Sequence, residues 1–66
     1  MKRSDGFWIA SGVMMGEEFR RVGTGKTLGS AWECNGKHWA MATGQPATEA
    51  PSRQAAKRIV EEKVCG

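Results

Sequence analysis

The stretch that decides the fold is Trp32-Glu33-Cys34-Asn35-Gly36-Lys37-His38-Trp39. Asn-Gly is the strongest short-range signal for a β-hairpin, because a two-residue type I′ turn requires positive φ at both central positions. With Asn35-Gly36 as the turn, the two tryptophans are predicted to lie opposite each other. Side chains alternate between the faces of a strand, so the tryptophans should share one face with Met41, and Glu33 should share the other face with His38.

The region after the hairpin predicts a loop followed by a helix. Two prolines and a glycine in residues 44–51 exclude a long regular element there. Ser52 is a good N-cap, and the residues from Arg53 to Val64 have helical periodicity with one apolar stripe. That stripe has to be buried, and its expected partner is the tryptophan face of the hairpin. The stripe consists of Ala56, Ile59, Val60 and Val64.

Glycines interrupt the first half of the chain, which makes its elements less regular. Phe7-Trp8-Ile9 is rich in strand formers, and residues 16–18 indicate a turn. Phe19-Arg20-Arg21-Val22 alternates apolar and charged residues, as a short strand does. A helix over residues 5–21 is the alternative, but two glycines would lie in its interior and each would cost about 1 kcal/mol relative to alanine. The sequence therefore favours strands here.

These elements together predict an α+β fold. It consists of an antiparallel sheet of three or four strands with one C-terminal helix packed on one face. The 66 residues suit a single small domain, residues 1–66, whose ends at 1–6 and 65–66 are expected to be frayed. The sequence has neither a secretory signal nor a run of about 20 apolar residues, so a cytoplasmic protein with no membrane partner is expected.

The residues that usually carry chemistry do not form a catalytic, metal-binding or cofactor-binding pattern. Two cysteines and one histidine are a poor zinc set, and the cysteines are expected to be reduced thiols. Glu33 and His38 are expected to form an exposed cross-strand polar pair. Residues 23–27 end like a phosphate-binding P-loop, but Arg20 stands where that motif needs its first glycine. We expect no enzyme, no cofactor and no small-molecule substrate.

The basic residues make nucleic acid the leading candidate partner. The net charge is +3 and the pI is about 9.2, which permits binding to an acidic polymer. Phosphate recognition needs mobile cationic groups and backbone donors, and the outer sheet face with its Gly-rich loop is expected to supply both. The residues expected to bind DNA or RNA are Arg20, Arg21, Lys26 and Lys37.

Protein–protein interaction is the alternative hypothesis, with the chain acting as a homodimer or as a small inhibitor. An exposed apolar patch would carry that interaction. Trp8 is the aromatic residue least constrained by the sequence pattern, and it is expected to form the patch with Met14 and Met15. Trp32 and Trp39 are expected in the core beneath the helix. Their alternative roles are a stacking platform for bases and a hot spot for a protein partner.

Two segments resemble families that bind nucleic acids. They are Gly36-Lys37-His38-Trp39-Ala40-Met41-Ala42 and Ser52-Arg53-Gln54-Ala55-Ala56-Lys57-Arg58-Ile59-Val60. Within residues 30–64 they are similar to the strand and helix of AP2-like DNA-binding domains, which include the arm-binding domains of phage-type integrases. They are also similar to the C-terminal part of the double-stranded RNA-binding domain.

The AP2-like resemblance implies a small phage or mobile-element type protein with a three-stranded sheet. The sheet face opposite the helix would then enter the major groove of DNA. The residues that this implies to be near DNA are Arg20, Arg21, Glu33 and His38. The chain departs from the AP2-like pattern at residues 44–51, where that family has a further strand before the helix.

Overall fold

The computed structural model describes residues 1–12 and 15–66, which form one five-stranded antiparallel sheet and a C-terminal helix. The strands are ordered in space as they are in the chain, so each pairs with its neighbour in a meander. The elements are a 3-10 helix over Arg3–Asp5, β1 Gly6–Ala10, β2 Gly16–Arg21, β3 Thr27–Cys34, β4 Lys37–Ala42, β5 Thr48–Ala50 and α1 Arg53–Cys65. The predicted α+β class is confirmed, but the sheet has five strands rather than three or four.

The hairpin between β3 and β4 has the predicted turn and register. Asn35 has a φ of 53° and Gly36 a φ of 77°, as a type I′ turn requires. Trp32 pairs with Trp39, and Glu33 pairs with His38.

The C-terminal helix also begins where the sequence predicted. The Ser52 hydroxyl accepts a hydrogen bond from the backbone N–H of Ala55 at 3.1 Å, which caps the first turn. Ala56 and Val60, on the side of the helix that faces the sheet, are fully buried. The rest of the predicted stripe packs around them. The helix contacts β3, β4 and β5.

The helix covers the opposite face of the sheet from the one predicted. The buried residues of the three strands that the helix contacts, β3, β4 and β5, are all small: Gly29, Ala31, Ala40, Ala42 and Ala50. Val60 lies directly over Gly29, because a Cβ atom placed on Gly29 would be 2.5 Å from the Val60 Cγ1. This close approach leaves no room for an indole ring between the helix and the β3–β4 hairpin. The tryptophan face of the hairpin is therefore turned away from the helix.

Two further predictions for the loops were wrong. Residues 16–18 were expected to be a turn, but they belong to β2. Glu17 fits in a strand because Arg53 and Lys57 of α1 pair with its carboxylate, each at 3.2 Å. Residues 44–51 were expected to be a loop throughout, but Thr48–Ala50 pairs with β4 as a short edge strand between the two prolines. The strands favoured over a helix in residues 5–21 are confirmed within the described residues.

We predict that the Gly29→Ala substitution destabilises the protein. The new methyl group would meet the Val60 Cγ1 at 2.5 Å and the backbone carbonyl of Met41 at 2.7 Å. Overpacking of this kind costs about 1–3 kcal/mol. Gly12→Ala is the matched control, because the space beside Gly12 is open among the described residues. Thermal unfolding monitored by circular dichroism measures both; equal melting temperatures for the two variants would contradict this packing.

Candidate nucleic-acid interface

The sheet side that faces away from α1 is called the outer face here. Alternation along the strands and the cross-strand registers assign its residues. They are Phe7 and Ile9 of β1, Glu18 and Arg20 of β2, Ser30, Trp32 and Cys34 of β3, Lys37, Trp39 and Met41 of β4, and Glu49 of β5. Aromatic and aliphatic side chains thus occupy the middle of an uncovered face, with charged side chains around them.

Trp32 and Trp39 form a cross-strand pair at the centre of this face. Both are half-buried, so part of each indole is open to solvent. Within the described residues, neither indole N–H donates to a protein acceptor. Neighbouring side chains on an antiparallel pair lie roughly 5 Å apart at their Cβ atoms. The pair therefore presents two adjacent, half-exposed aromatic surfaces on a sheet face that α1 does not cover.

Trp8 is held against the helix, so the expectation that it is an exposed aromatic was wrong. It belongs to the opposite face of β1, where its ring lies 5.0 Å from the Phe19 ring. Its indole N–H donates to the Glu61 carboxylate at 2.9 Å. The Lys57 ammonium lies 5.1 Å from its ring centroid, within the range of a cation–π contact. Trp8 is half-buried, as Trp32 and Trp39 are, but these three partners hold its ring on the helix side of the sheet.

Arg20 lies on the outer face as expected, but its guanidinium is already engaged. One terminal nitrogen pairs with Glu18 at 3.3 Å, and the other donates to the Gly25 carbonyl at 3.5 Å. The Glu18 carboxylate also accepts from the Thr27 hydroxyl at 3.1 Å. The Arg20 Nε is buried, with no hydrogen-bond partner in the described part of the chain. Arg20 thus ties the β2–β3 turn to the sheet, and its charge is largely balanced.

Lys26 and Lys37 are the unbalanced cations of the predicted set. Both are exposed, and neither ammonium pairs with an acidic side chain in residues 1–12 and 15–66. Lys37 is the first residue of β4, beside the hairpin turn that follows β3. Lys26 lies in the turn that precedes β3, so the two lysines are at opposite ends of the hairpin. Arg21 is exposed too, but its position in β2 alternates to the helix side of the sheet. The four predicted residues therefore do not form one cluster.

The Gly-rich segment is a tight turn between β2 and β3, and β3 begins at Thr27. Gly23 and Gly25 adopt positive φ values of 92° and 70°. The Gly25 N–H donates to the Arg21 carbonyl, and the Lys26 N–H donates to the Thr24 hydroxyl. Because the turn itself uses these donors, its contribution to an anion contact would come from the Lys26 side chain.

Trp8 and Met15, the two described residues of the alternative protein-interaction patch, lie in different parts of the fold, one in β1 and one in the turn before β2. Met15 is the most exposed large apolar residue of the described chain, at 80%. Met14 lies outside the described residues. Trp8 is packed against Phe19 and α1 on the helix side of β1.

Glu33 and His38 face the helix side, at the edge of a cleft of about 310 Å³ that Arg53 also lines. Glu33 is exposed and His38 is half-buried. Within the described residues, no hydrogen bond joins their side chains. The resemblance implied that both would be near DNA on the face opposite the helix, and the helix-side position of this pair contradicts that.

The sequence missed the position of the tryptophans on the uncovered face. The signal that could have revealed it is the alternation of small residues in the hairpin strands. Gly29, Ala31, Ala40 and Ala42 all occupy the face opposite the tryptophans. A face of glycine and alanine permits the closest helix approach, which is a stronger reason for helix packing than total apolar area.

No family model, curated protein or solved structure matches this chain. Among the described residues, no helix is long and apolar enough to cross a membrane.

We predict that the tryptophan pair contributes much less to stability than the core does. Trp39→Ala removes a cross-strand partner on an open face and should cost about 1 kcal/mol. Phe19 is only 1% exposed, and Phe19→Ala should cost about 3–5 kcal/mol, comparable to the whole stability of so short a chain. Urea unfolding followed by circular dichroism compares the two. A loss at Trp39 as large as that at Phe19 would show that Trp39 is a core residue.

Proposed function

We propose that the protein is a non-enzymatic nucleic-acid-binding module whose binding surface is the part of the outer face formed by the β3–β4 hairpin. The observation that carries this proposal is the Trp32–Trp39 pair at the centre of a sheet face that α1 leaves uncovered. Aromatic side chains on an open surface provide stacking platforms for bases, worth about 1–3 kcal/mol per base.

Two exposed cations support an anionic partner. Lys37 lies on the outer face two residues from Trp39, and Lys26 lies in the turn at the other end of β3, where no acidic side chain of the described residues compensates it. Phosphate contacts release condensed counterions, so such an interface gains affinity at low salt. Arg20 supports the proposal indirectly, because its bond to the Gly25 carbonyl holds the turn that carries Lys26.

Cys34 and Cys65 are free thiols, which suits a reducing compartment and supports a cytoplasmic location.

We predict that removing Lys26 and Lys37 weakens nucleic-acid binding and reduces its salt dependence. The variant is Lys26→Gln with Lys37→Gln. Each lost phosphate contact should lower the slope of log affinity against log salt by roughly 0.7–0.9. Fluorescence anisotropy with labelled oligonucleotides at several salt concentrations measures both quantities.

The matched control is Arg58→Gln with Lys63→Gln, which removes the same net charge from the helix. Arg58 and Lys63 are exposed on α1. If binding depended only on net charge, the two double variants would lose affinity equally, and that result would contradict the proposed surface.

A protein partner is the second candidate, favoured by the 80% exposure of Met15. Phe7 on the outer face is also 40% exposed. Such apolar surface is typical of an interaction site when it forms a continuous patch.

The homodimer form of this candidate predicts that Met15→Ser weakens self-association. Sedimentation velocity over a range of protein concentrations measures this, and the variant dimer should dissociate at a higher protein concentration than the parent dimer.

A further inference from the structure

We infer that the ligand of the outer face is a single strand of nucleic acid that runs along the β3–β4 hairpin, with bases stacked on Trp39 and Trp32. This inference rests on the proposed function and specifies its substrate class. Three observations carry it: the width of the sheet, the position of the tryptophans and the placement of the charges.

The sheet is too wide to enter a duplex groove with its face. Strands lie about 4.8 Å apart, so five strands span on the order of 19 Å between the outermost two. The major groove of B-DNA is about 12 Å wide and admits a helix or a two-stranded ribbon. A three-stranded sheet would span about 10 Å, but here β1 and β5 extend the same sheet on either side. Duplex recognition through this face is therefore sterically disfavoured.

The tryptophan pair is suited to bases that are not paired with a second strand. In a duplex, each base is stacked between its neighbours, so its ring faces are covered. In a single strand, the bases can leave the stack and place a ring face against an aromatic side chain. Trp32 and Trp39 are direct cross-strand neighbours, so a single strand that runs along the hairpin meets both rings at the same level, where unstacked bases can lie against them. Stacking does not depend on base identity, and little sequence preference is expected.

The charges define a path along the hairpin. Lys37 lies on the outer face two residues from Trp39 on β4, or roughly 7 Å. Lys26 is exposed in the turn before the far end of β3, and its long side chain, with no acidic partner among the described residues, can reach a phosphate there. The distance along β3 from Thr27 to Cys34 is about 23 Å, enough for roughly four nucleotides. Glu49 lies beside Trp39 on β5 and repels phosphates from that edge. The phosphodiester backbone should therefore follow β3, between the two lysines.

The test compares three labelled ligands by fluorescence anisotropy at low salt. They are oligodeoxyuridylate and oligouridylate of about eight nucleotides, which is twice the expected site, and a DNA duplex long enough to cover the protein. We expect either single strand to bind about tenfold more tightly than the duplex. Tighter binding of oligouridylate than of oligodeoxyuridylate would support the inference and identify RNA, because the two strands carry the same base and differ only in the ribose 2′-hydroxyl.

Two Trp39 variants and one control variant locate the path. Trp39→Leu should weaken single-strand binding about tenfold, whereas Trp39→Phe retains a ring and should lose less. Phe7→Leu is the control, because Phe7 is an outer-face aromatic on the edge strand β1, away from the hairpin. Phe7→Leu should leave the affinity unchanged within twofold. Circular dichroism confirms that each variant remains folded.

The contradicting outcomes separate the inference from the function on which it rests. If the duplex binds as tightly as the single strands, the inference is overturned and nucleic-acid binding stands. If Trp39→Leu and Phe7→Leu lose equal affinity, the hairpin path is overturned. If none of the three ligands binds at low salt, the proposed function itself is overturned, and protein–protein interaction becomes the leading candidate function.

Discussion

The close approach of α1 to the sheet is the constraint on which the rest of the structure depends. Val60 sits over Gly29, and alanines of β3, β4 and β5 surround this contact. Dispersion forces and exclusion of water favour such tight packing, but only where the sheet side chains are very small. The contact therefore decides which side of the sheet becomes the core. Every large residue that alternates to the other side in the hairpin is left on an uncovered face.

At the β1–β2 side of the sheet the core is completed by larger side chains. Phe19 of β2 and Trp8 of β1 pack against each other there, next to the small residues of β3, β4 and β5. Lys57, Glu61 and Glu17 then close the rim with charged contacts. The two uncovered tryptophans take no part in this arrangement, since the core is complete without them. Because Trp32 and Trp39 lie outside the core, we explain their position by contact with a ligand rather than by a contribution to stability.

The sequence predicted local structure better than it predicted which faces meet. The Asn35-Gly36 turn and the Ser52 cap each depend on a few neighbouring residues, so the hairpin register and the helix start could be derived from them. The helix contact depends on the relative size of two opposite faces, and a rule based on apolar area chose the tryptophans over the alanines. Trp8 was misplaced for a related reason, because no local pattern shows that its partners are Phe19 and α1. The strand Thr48–Ala50 was missed because prolines flank it, and prolines indicate a loop. Its three residues form a strand by pairing with β4, and no local pattern reveals that pairing.

Two-dimensional amide NMR of labelled protein during titration with a single-stranded oligonucleotide tests the central claim most directly. The three indole N–H resonances report separately on the two sides of the sheet. The account predicts that the indoles of Trp32 and Trp39 shift together with the amides of β3 and β4, and that the Trp8 indole, bonded to Glu61, does not. Shifts at Trp8 and along α1, with Trp32 and Trp39 unchanged, would contradict it.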